Sequence, residues 1–464
     1  MLLPTLSSLS GALSAVVLLS LYSKSKQQNS YMKKTLLFIA TLLASYVGMA
    51  QETYHPTAEN LKAREQFQDE KFGIFLHWGL YSMMGTTEWI MTNRDINYKE
   101  YPKLAKTFYP SEFDADAWVK AIKAAGAKYI TITTRHHDGF SLFKTATSTY
   151  NSVDGTPFKR EIIKEMADAC QRNGIKLHLY YSHLDWGRED YPVGRTGTGT
   201  GRPKEKANWA SYYKFMNTQL TELLTNYGKV GAIWFDGWWD HDSDAKPFDW
   251  QLEEQYALIH KLQPQCLVAN NHHHTPFPGE DIQIFERDLP GENKAGLSGQ
   301  SIGRLPLESC QTINEHWGYN ITDTLYKSPK ELIQMLVRAA GKNANLLLNI
   351  GPEPGGALPE LALNRLQSLG KWLNQYGETI YGTRGGIVGP HEWGVSTQRG
   401  NKLYIHILNC MDSSLFIPTG NHKIKSATVF GTNKRVNFTK TGNGITLNLD
   451  TVPTDIDYIV ELTL

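Results

Sequence analysis

From about residue 71 the chain alternates short apolar runs with amphipathic segments, and chemically able side chains recur where the apolar runs end. The runs are Phe72–His77, Tyr129–Thr134, Lys176–Tyr181, Ala232–Phe235, Cys266–Asn270 and Leu346–Ile350. Each is too short for a buried helix and apolar enough to be a strand covered on both faces. The segments Asp116–Ala125, Arg160–Asn173, Tyr212–Tyr227 and Glu253–Leu262 carry helical periodicity between them. Strand and helix in alternation predict a parallel α/β architecture. His77, His136, Tyr181, Asp236, Asn270 and Asn349 stand at or just past the strand ends. An open sheet gathers function at one switch point, whereas a barrel gathers it around the whole C-terminal rim. The pattern therefore predicts an α/β chain with a (β/α)8-like, TIM-type barrel.

After Gly385-Gly386 the texture changes. Lys402–Leu408, Ser414–Pro418, Lys423–Phe430, Arg435–Thr439, Gly444–Leu449 and Ile456–Leu462 are short β-like runs, most of them separated by Gly, Asn and Asp turns. They predict a C-terminal all-β sandwich over 384–464, after a barrel over 51–383, with the junction in Gly377–Gly386. Gly194–Lys206, rich in Gly, Thr, Arg and Pro, reads as a long surface loop after the third strand.

Met32-Lys33-Lys34, the apolar run Thr35–Ala44 and the small residues of Val47–Ala50 read as a signal peptide over 32–50, with Gln51 as the mature start. The run is shorter than the ~20 residues a spanning helix needs. Residues 1–31 then read as an over-called N-terminal extension, and the protein is expected to be exported, periplasmic or extracellular, with no membrane attachment after cleavage. With 47 Lys+Arg against 46 Asp+Glu, the net charge of +1 gives no electrostatic case for nucleic acid. Cys170, Cys266, Cys310 and Cys410 are scattered without CxxC spacing, so no metal site is expected from them.

In Trp234-Phe235-Asp236-Gly237-Trp238-Trp239 a carboxylate leaves a strand among indole rings. Indoles stack on the apolar faces of a pyranose, and a carboxylate can face its reactive carbon. Phe75-Leu76-His77-Trp78-Gly79, Glu88-Trp89, Thr134-Arg135-His136-His137-Asp138-Gly139-Phe140 and Leu179-Tyr180-Tyr181-Ser182 add imidazoles, a carboxylate and a phenol to the same rim. Neutral imidazoles and phenols donate to and accept from vicinal hydroxyls.

These motifs, in this order, resemble the family 29 α-L-fucosidases. Asn345–Gly356 and Leu307–Tyr319 also resemble family segments, and the resemblance runs from about residue 54 to 385. It implies a barrel followed by a β-sandwich, no metal or other cofactor, and exo-acting, retaining hydrolysis of terminal α-L-fucose from a fucosylated glycan or glycoconjugate. It makes Asp236 the nucleophile. His77, His136 and His137 would bind sugar hydroxyls, with Glu88, Trp89, Tyr181 and Trp234 beside them and Trp317 under the C5 methyl group. Many members carry an arginine soon after the strand that follows the nucleophile. Here that region reads Ala269-Asn270-Asn271-His272-His273-His274, so His272, an Asn or Arg287 is expected to take its place.

A retaining glycosidase needs a second carboxylate as acid and base, with its pKa raised towards neutrality. Glu286, Glu292 and Glu308 are the candidates, in that order. Glu286 lies 50 residues after Asp236, closest to the family separation. Against it, Arg287 next in sequence would lower its pKa if the two side chains paired. Gly291 suggests a mobile loop around Glu292. Three other readings compete: a glycosidase for another 6-deoxy or galacto-configured sugar, a non-catalytic fucose-binding protein, and a metal-dependent barrel hydrolase. The last is disfavoured because adjacent His136 and His137 cannot both project to one side of an extended strand, and the only H-x-H pair, His272 with His274, lies in a polar run.

Overall fold

The structure, a computed structural model, describes residues 54–464 apart from Asn433. The expected signal peptide and the extension before it lie outside the described residues. A helix, Ala58–Glu70, opens the described chain, its N-terminus capped by Thr57 Oγ1, which accepts from the Asn60 amide at 3.1 Å. Eight strands follow: β1 (Phe72–Leu76), β2 (Tyr129–Arg135), β3 (Lys176–Ser182), β4 (Ala232–Asp236), β5 (Leu267–Asn271), β6 (Gln283–Glu286), β7 (Leu307–Thr312) and β8 (Ala344–Ile350). They form one sheet of order β5-β4-β3-β2-β1-β8-β7-β6 in which every neighbouring pair is parallel. A single parallel bridge, Ala269 with Ile282, draws the two edges together and makes the sheet a nearly closed barrel. Helices Ala115–Ala124, Ile162–Asn173, Trp209–Asn226, Leu252–Leu262, Pro329–Gly341 and Glu360–Tyr376 follow β1, β2, β3, β4, β7 and β8 respectively.

Successive residues of a strand point to opposite faces. In β3 and β4 one row, Tyr181, Ile233 and Phe235, joins the large outer core beneath the helices. The other, Tyr180, Ala232 and Trp234, joins an interior cluster with Phe75, Tyr129, Ala269, Cys310 and Leu347. Gly73 makes room inside the barrel. A Cβ there would lie 2.3 Å from the Tyr129 ring, which stacks on His178 with ring centroids 4.6 Å apart. The first helix closes the N-terminal end. Its Phe67 joins the interior cluster, the Phe67 carbonyl accepts from Asn345 Nδ2 at 2.7 Å, and Arg64 pairs with Asp281 just before β6.

The C-terminal strands are β9 (Arg384–Gly385), β10 (Gly394–Arg399), β11 (Lys402–Ile407), β12 (Ser414–Ile417), β13 (Ser426–Val429), β14 (Asn437–Thr441), β15 (Gly444–Asn448) and β16 (Tyr458–Thr463). They build two antiparallel sheets, β13-β16-β11-β10-β9 and β12-β15-β14, around a core that includes Leu403, Ile405, Leu447 and Val460. Val395, Tyr404, Leu408 and Ile459 face the other way and join the outer core of the barrel. The barrel followed by an all-β unit thus agrees with the fold expected from sequence.

The interior contains one fully buried carboxyl that is far from apolar. Glu308 on β7 accepts from Tyr129 Oη at 2.7 Å and from Trp234 Nε1 at 2.9 Å. Burial pushes its pKa up to about 7, with the two hydrogen bonds opposing. The folded pKa is therefore above the unfolded one, about 4.5. The associated stability is full below pH 4.5, is lost as the pH rises through 7, and amounts to at most ~3 kcal/mol. Glu308→Gln removes this titration. Between pH 4.5 and pH 8 the urea unfolding midpoint should therefore fall further, or rise less, in the parent protein than in the variant.

Candidate active site

At the C-terminal end of the barrel lies a cavity of about 180 Å³, floored by Phe75, Trp234 and Cys310. This is smaller than the ~300–1,000 Å³ of drug-sized pockets and suits a single pyranose ring. Its wall carries both Asp236 and Glu286, the last residues of β4 and β6. Asn271, the last residue of β5 between them, reaches both. Its Nδ2 lies 2.8 Å from Glu286 Oε2 and 3.4 Å from Asp236 Oδ1. The two oxygens are thus no further apart than the sum of those distances, about 6 Å.

Asp236 Oδ1 also accepts from the Gly237 amide at 2.8 Å and Trp239 Nε1 at 3.0 Å, whereas Oδ2 accepts from Tyr180 Oη at 3.0 Å. Burial, and next the negative charge of Glu286, push the Asp236 pKa up to about 6, with the Trp239 and Tyr180 hydrogen bonds opposing. Glu286 Oε2 accepts a second hydrogen bond, at 2.9 Å, from His273 Nε2. Burial alone would raise this carboxyl, but His273, Asn271 and the charge of Arg287 outweigh it and hold the pKa below the usual value.

Besides His273, three imidazoles line the cavity: His77, His136 and His137. Asn349 Nδ2 donates to the Trp317 carbonyl at 2.7 Å, so its Oδ1 is the acceptor for His77 Nδ1–H, also at 2.7 Å. Ser182 Oγ donates to the Leu184 carbonyl and must accept from His137 Nδ1–H at 2.7 Å. Burial keeps both rings neutral, with His77 at about 4 and His137 well below its ordinary value. Their Nε2 atoms are consequently acceptors, and that of His137 lies 3.5 Å from Asp236 Oδ2. His136 stacks on Tyr180 at 5.3 Å, and its buried Nδ1 has no hydrogen-bond partner among the described residues. Trp89 stacks on Trp239 at 5.5 Å, and Glu88 holds the Gly318 amide at 2.9 Å, fixing the segment that carries Trp317. Arg195 comes in from the long surface loop, its guanidinium 5.2 Å from the Trp239 ring.

Asp236, Glu286, His77, Glu88, Trp89, His136, His137, Trp234 and Trp317 therefore share one cavity. Three expectations are corrected. Tyr181 faces the helices, where it donates to Gln219 Oε1 at 2.7 Å; the cavity phenol is Tyr180, one residue earlier and on the opposite face. Glu292 is distant from the cavity, tied to Lys342 at 2.8 Å and Lys294 at 3.0 Å, and those lysines hold its carboxyl low against burial. Glu308 lies inside the barrel beneath Trp234. The argument against His136 and His137 sharing a side also fails. The β2–β3 register shifts between Thr133 and Arg135, Arg135 turns outward onto Asp185 and Tyr212, and both histidines fall beyond the strand. Of the residues expected in place of the missing arginine, Asn271 lines the cavity and His272 is turned to Glu280, whereas Tyr180, Trp239, His273 and Arg195 were not anticipated. Strand parity could have given Tyr180, but no local pattern marks the others.

Comparison with known proteins decides the family. The α-L-fucosidase family profile matches residues 41–378. The chain belongs to the α-L-fucosidases of glycoside hydrolase family 29. Plasma α-L-fucosidase of Rattus norvegicus is 30% identical over 408 residues, 80% of this chain and 83% of that one. The α-L-fucosidase isoenzyme 1 structure from Paenibacillus thiaminolyticus is 34% identical with a TM-score of 0.78, covering 88% of this chain and all of that one. A family 29 α-L-fucosidase from Bacteroides thetaiotaomicron, solved as a trapped covalent intermediate with 2-fluoro-fucosyl fluoride, is 26% identical with a TM-score of 0.76, covering 89% and 98%. The enzyme is a glycoside hydrolase.

Removing the Tyr180 hydroxyl deletes a hydrogen bond to a charged acceptor, worth ~1.5–3 kcal/mol. Tyr180→Phe should lower kcat/KM on an aryl α-L-fucoside by about 10- to 100-fold, whereas Tyr181→Phe should change it less than about threefold. Equal losses in the two variants would contradict the assignment of faces.

Proposed function

We propose that the enzyme removes terminal α-L-fucose from glycans by double displacement with retention, using Asp236 as nucleophile and Glu286 as acid and base. The observation that carries this reading is the pair of partly buried carboxylates bridged by Asn271 in the wall of one sugar-sized cavity. Asp236 Oδ1 and Glu286 Oε2, the two oxygens that share Asn271, are no more than about 6 Å apart, which is compatible with the ~5–5.5 Å between the carboxyl groups of retaining enzymes. The covalent intermediate trapped in the Bacteroides thetaiotaomicron relative supports the same course.

Asp236 Oδ1 is engaged by three donors, so Oδ2, held by Tyr180, is the oxygen free to attack the anomeric carbon. Glu286 Oε2 is engaged by Asn271 and His273, which leaves Oε1 to exchange a proton with the substrate. As the Asp236–carbon bond forms, the glycosidic bond breaks and the leaving oxygen takes a proton from Glu286. Water then attacks the same carbon, gives its proton to Glu286 and frees Asp236. His77 and His137 accept from sugar hydroxyls through Nε2. Trp317, edge-on to Phe75, supplies an apolar wall.

Asp236→Asn should reduce kcat on 4-nitrophenyl α-L-fucoside by at least about a thousandfold with folding intact, and a loss below about tenfold would exclude Asp236 as nucleophile. Glu286→Ala should regain rate with azide and yield a fucosyl azide of retained configuration; Glu292→Ala should not. Because Asp236 must be ionised to attack, kcat/KM should fall as the pH drops below about 6. A profile flat to pH 4 would contradict this role.

A further inference from the structure

Resting on the reading of Glu286 as the acid and base, we infer that His273 is its positioning residue and stores the proton that Glu286 delivers to the leaving oxygen. His273 Nε2 lies 2.9 Å from Glu286 Oε2, and the two side chains are 21% and 14% exposed. A single proton in this contact can sit on either partner, as imidazolium with carboxylate or as imidazole with carboxylic acid. The first form places a positive charge beside two carboxylates that share the donor Asn271, which offsets their mutual repulsion.

No other group facing Glu286 fills this place. Arg287, next in sequence, has its guanidinium 5.1 Å from the Trp317 ring and donates to the Glu315 carbonyl at 3.0 Å. His77 and Cys310 are kept uncharged by burial, and Asp236 carries the wrong sign. Around His273, His272 is taken by Glu280 at 3.0 Å, and His274 lies edge-on to Trp238 at 5.1 Å. His273 alone of the three histidines turns towards Glu286, and it does so with φ of +65°, a backbone conformation uncommon for a residue with a side chain. Such a conformation persists only where its surroundings hold it.

The proton account closes over a turnover. In the reactive form the pair's proton is on Oε1 of Glu286 and His273 is neutral; when the glycosidic bond breaks, the leaving oxygen takes that proton and the contact is left as imidazole with carboxylate. When water attacks, its proton returns to Glu286 and is shared again with His273. The alkaline limb of the rate profile therefore reports the pair, while the acid limb reports Asp236.

The test is the pH dependence of kcat/KM for His273→Gln, which keeps a donor without a titrating ring, and for His273→Asn, which tolerates the left-handed backbone. On a fucosyl oligosaccharide, whose leaving group needs a proton, both should move the alkaline limb down by at least about one pH unit and leave the acid limb in place. On 4-nitrophenyl α-L-fucoside, whose leaving group needs little assistance, the loss at pH 6 should be at least about tenfold smaller than on the oligosaccharide. A uniform loss on both substrates with neither limb moved would overturn the inference and make His273 a structural or sugar contact. Azide rescue of Glu286→Ala separates the two levels: failure there removes the reading of Glu286 itself, whereas rescue with an unmoved limb removes only the role of His273.

Discussion

A narrow parallel barrel has space inside for alternate side chains only, and the position of the nucleophile follows from how that space is filled. Gly73 leaves room for Tyr129; Tyr129 and Trp234 both donate to Glu308. Trp234 stacks at 5.6 Å on Tyr180, which in turn donates to Asp236. The stack runs from the barrel interior to the reacting oxygen without a flexible link. Close-packed interiors transmit small volume changes. The position of Asp236 is therefore set as much by Tyr129 and Glu308 below it as by the loops above.

The electrostatics of the cavity follow from the same burial. Imidazoles deep in the rim stay neutral, and side chains behind them, Asn349 and Ser182, fix which nitrogen carries the proton. A neutral ring with a known tautomer is an oriented acceptor, which discriminates among hydroxyl positions without drawing charge from Asp236. The guanidinium groups stand only at the margin, Arg195 over Trp239 and Arg287 over Trp317. Cations in contact with the three histidines would weaken the nucleophile by stabilising its charge before attack.

Much of this was legible in the residues. Strands such as Phe72–Leu76 and Ala232–Asp236 are continuously apolar up to their ends, as expected where both faces are covered. β6 and β7 were missed because Gln283-Ile284-Phe285-Glu286 and Leu307–Thr312 hold polar side chains that face interior partners, and no periodicity announces a Glu308 satisfied by an indole and a phenol. Tyr181 was taken for Tyr180 because a strand end shows two adjacent phenols and only pairing decides which faces inward. The two histidines share a wall because both lie past the end of β2, where strand alternation no longer applies, and no residue pattern announces that boundary. Asn271 and His273 lie in a polar run whose path is set by a positive φ rather than by any motif.

Sequence adjacency weighed against Glu286, the first choice of second carboxylate, through its neighbour Arg287. Arg287 counted against Glu286 because a fixed cation bound to a carboxylate prevents it from holding a proton. In space Arg287, itself at φ of +57°, turns to Trp317. The carboxylate in fixed-cation contact is Glu292, held by two lysines and thereby kept ionised. Glu286 is held by an amide and an imidazole instead. An acid that must become a base within one turnover needs a neighbour whose own charge can change, and imidazole is the side chain that changes charge near neutral pH. The two glutamates are thus separated by the kind of cation each contacts rather than by their depth or their distance along the chain.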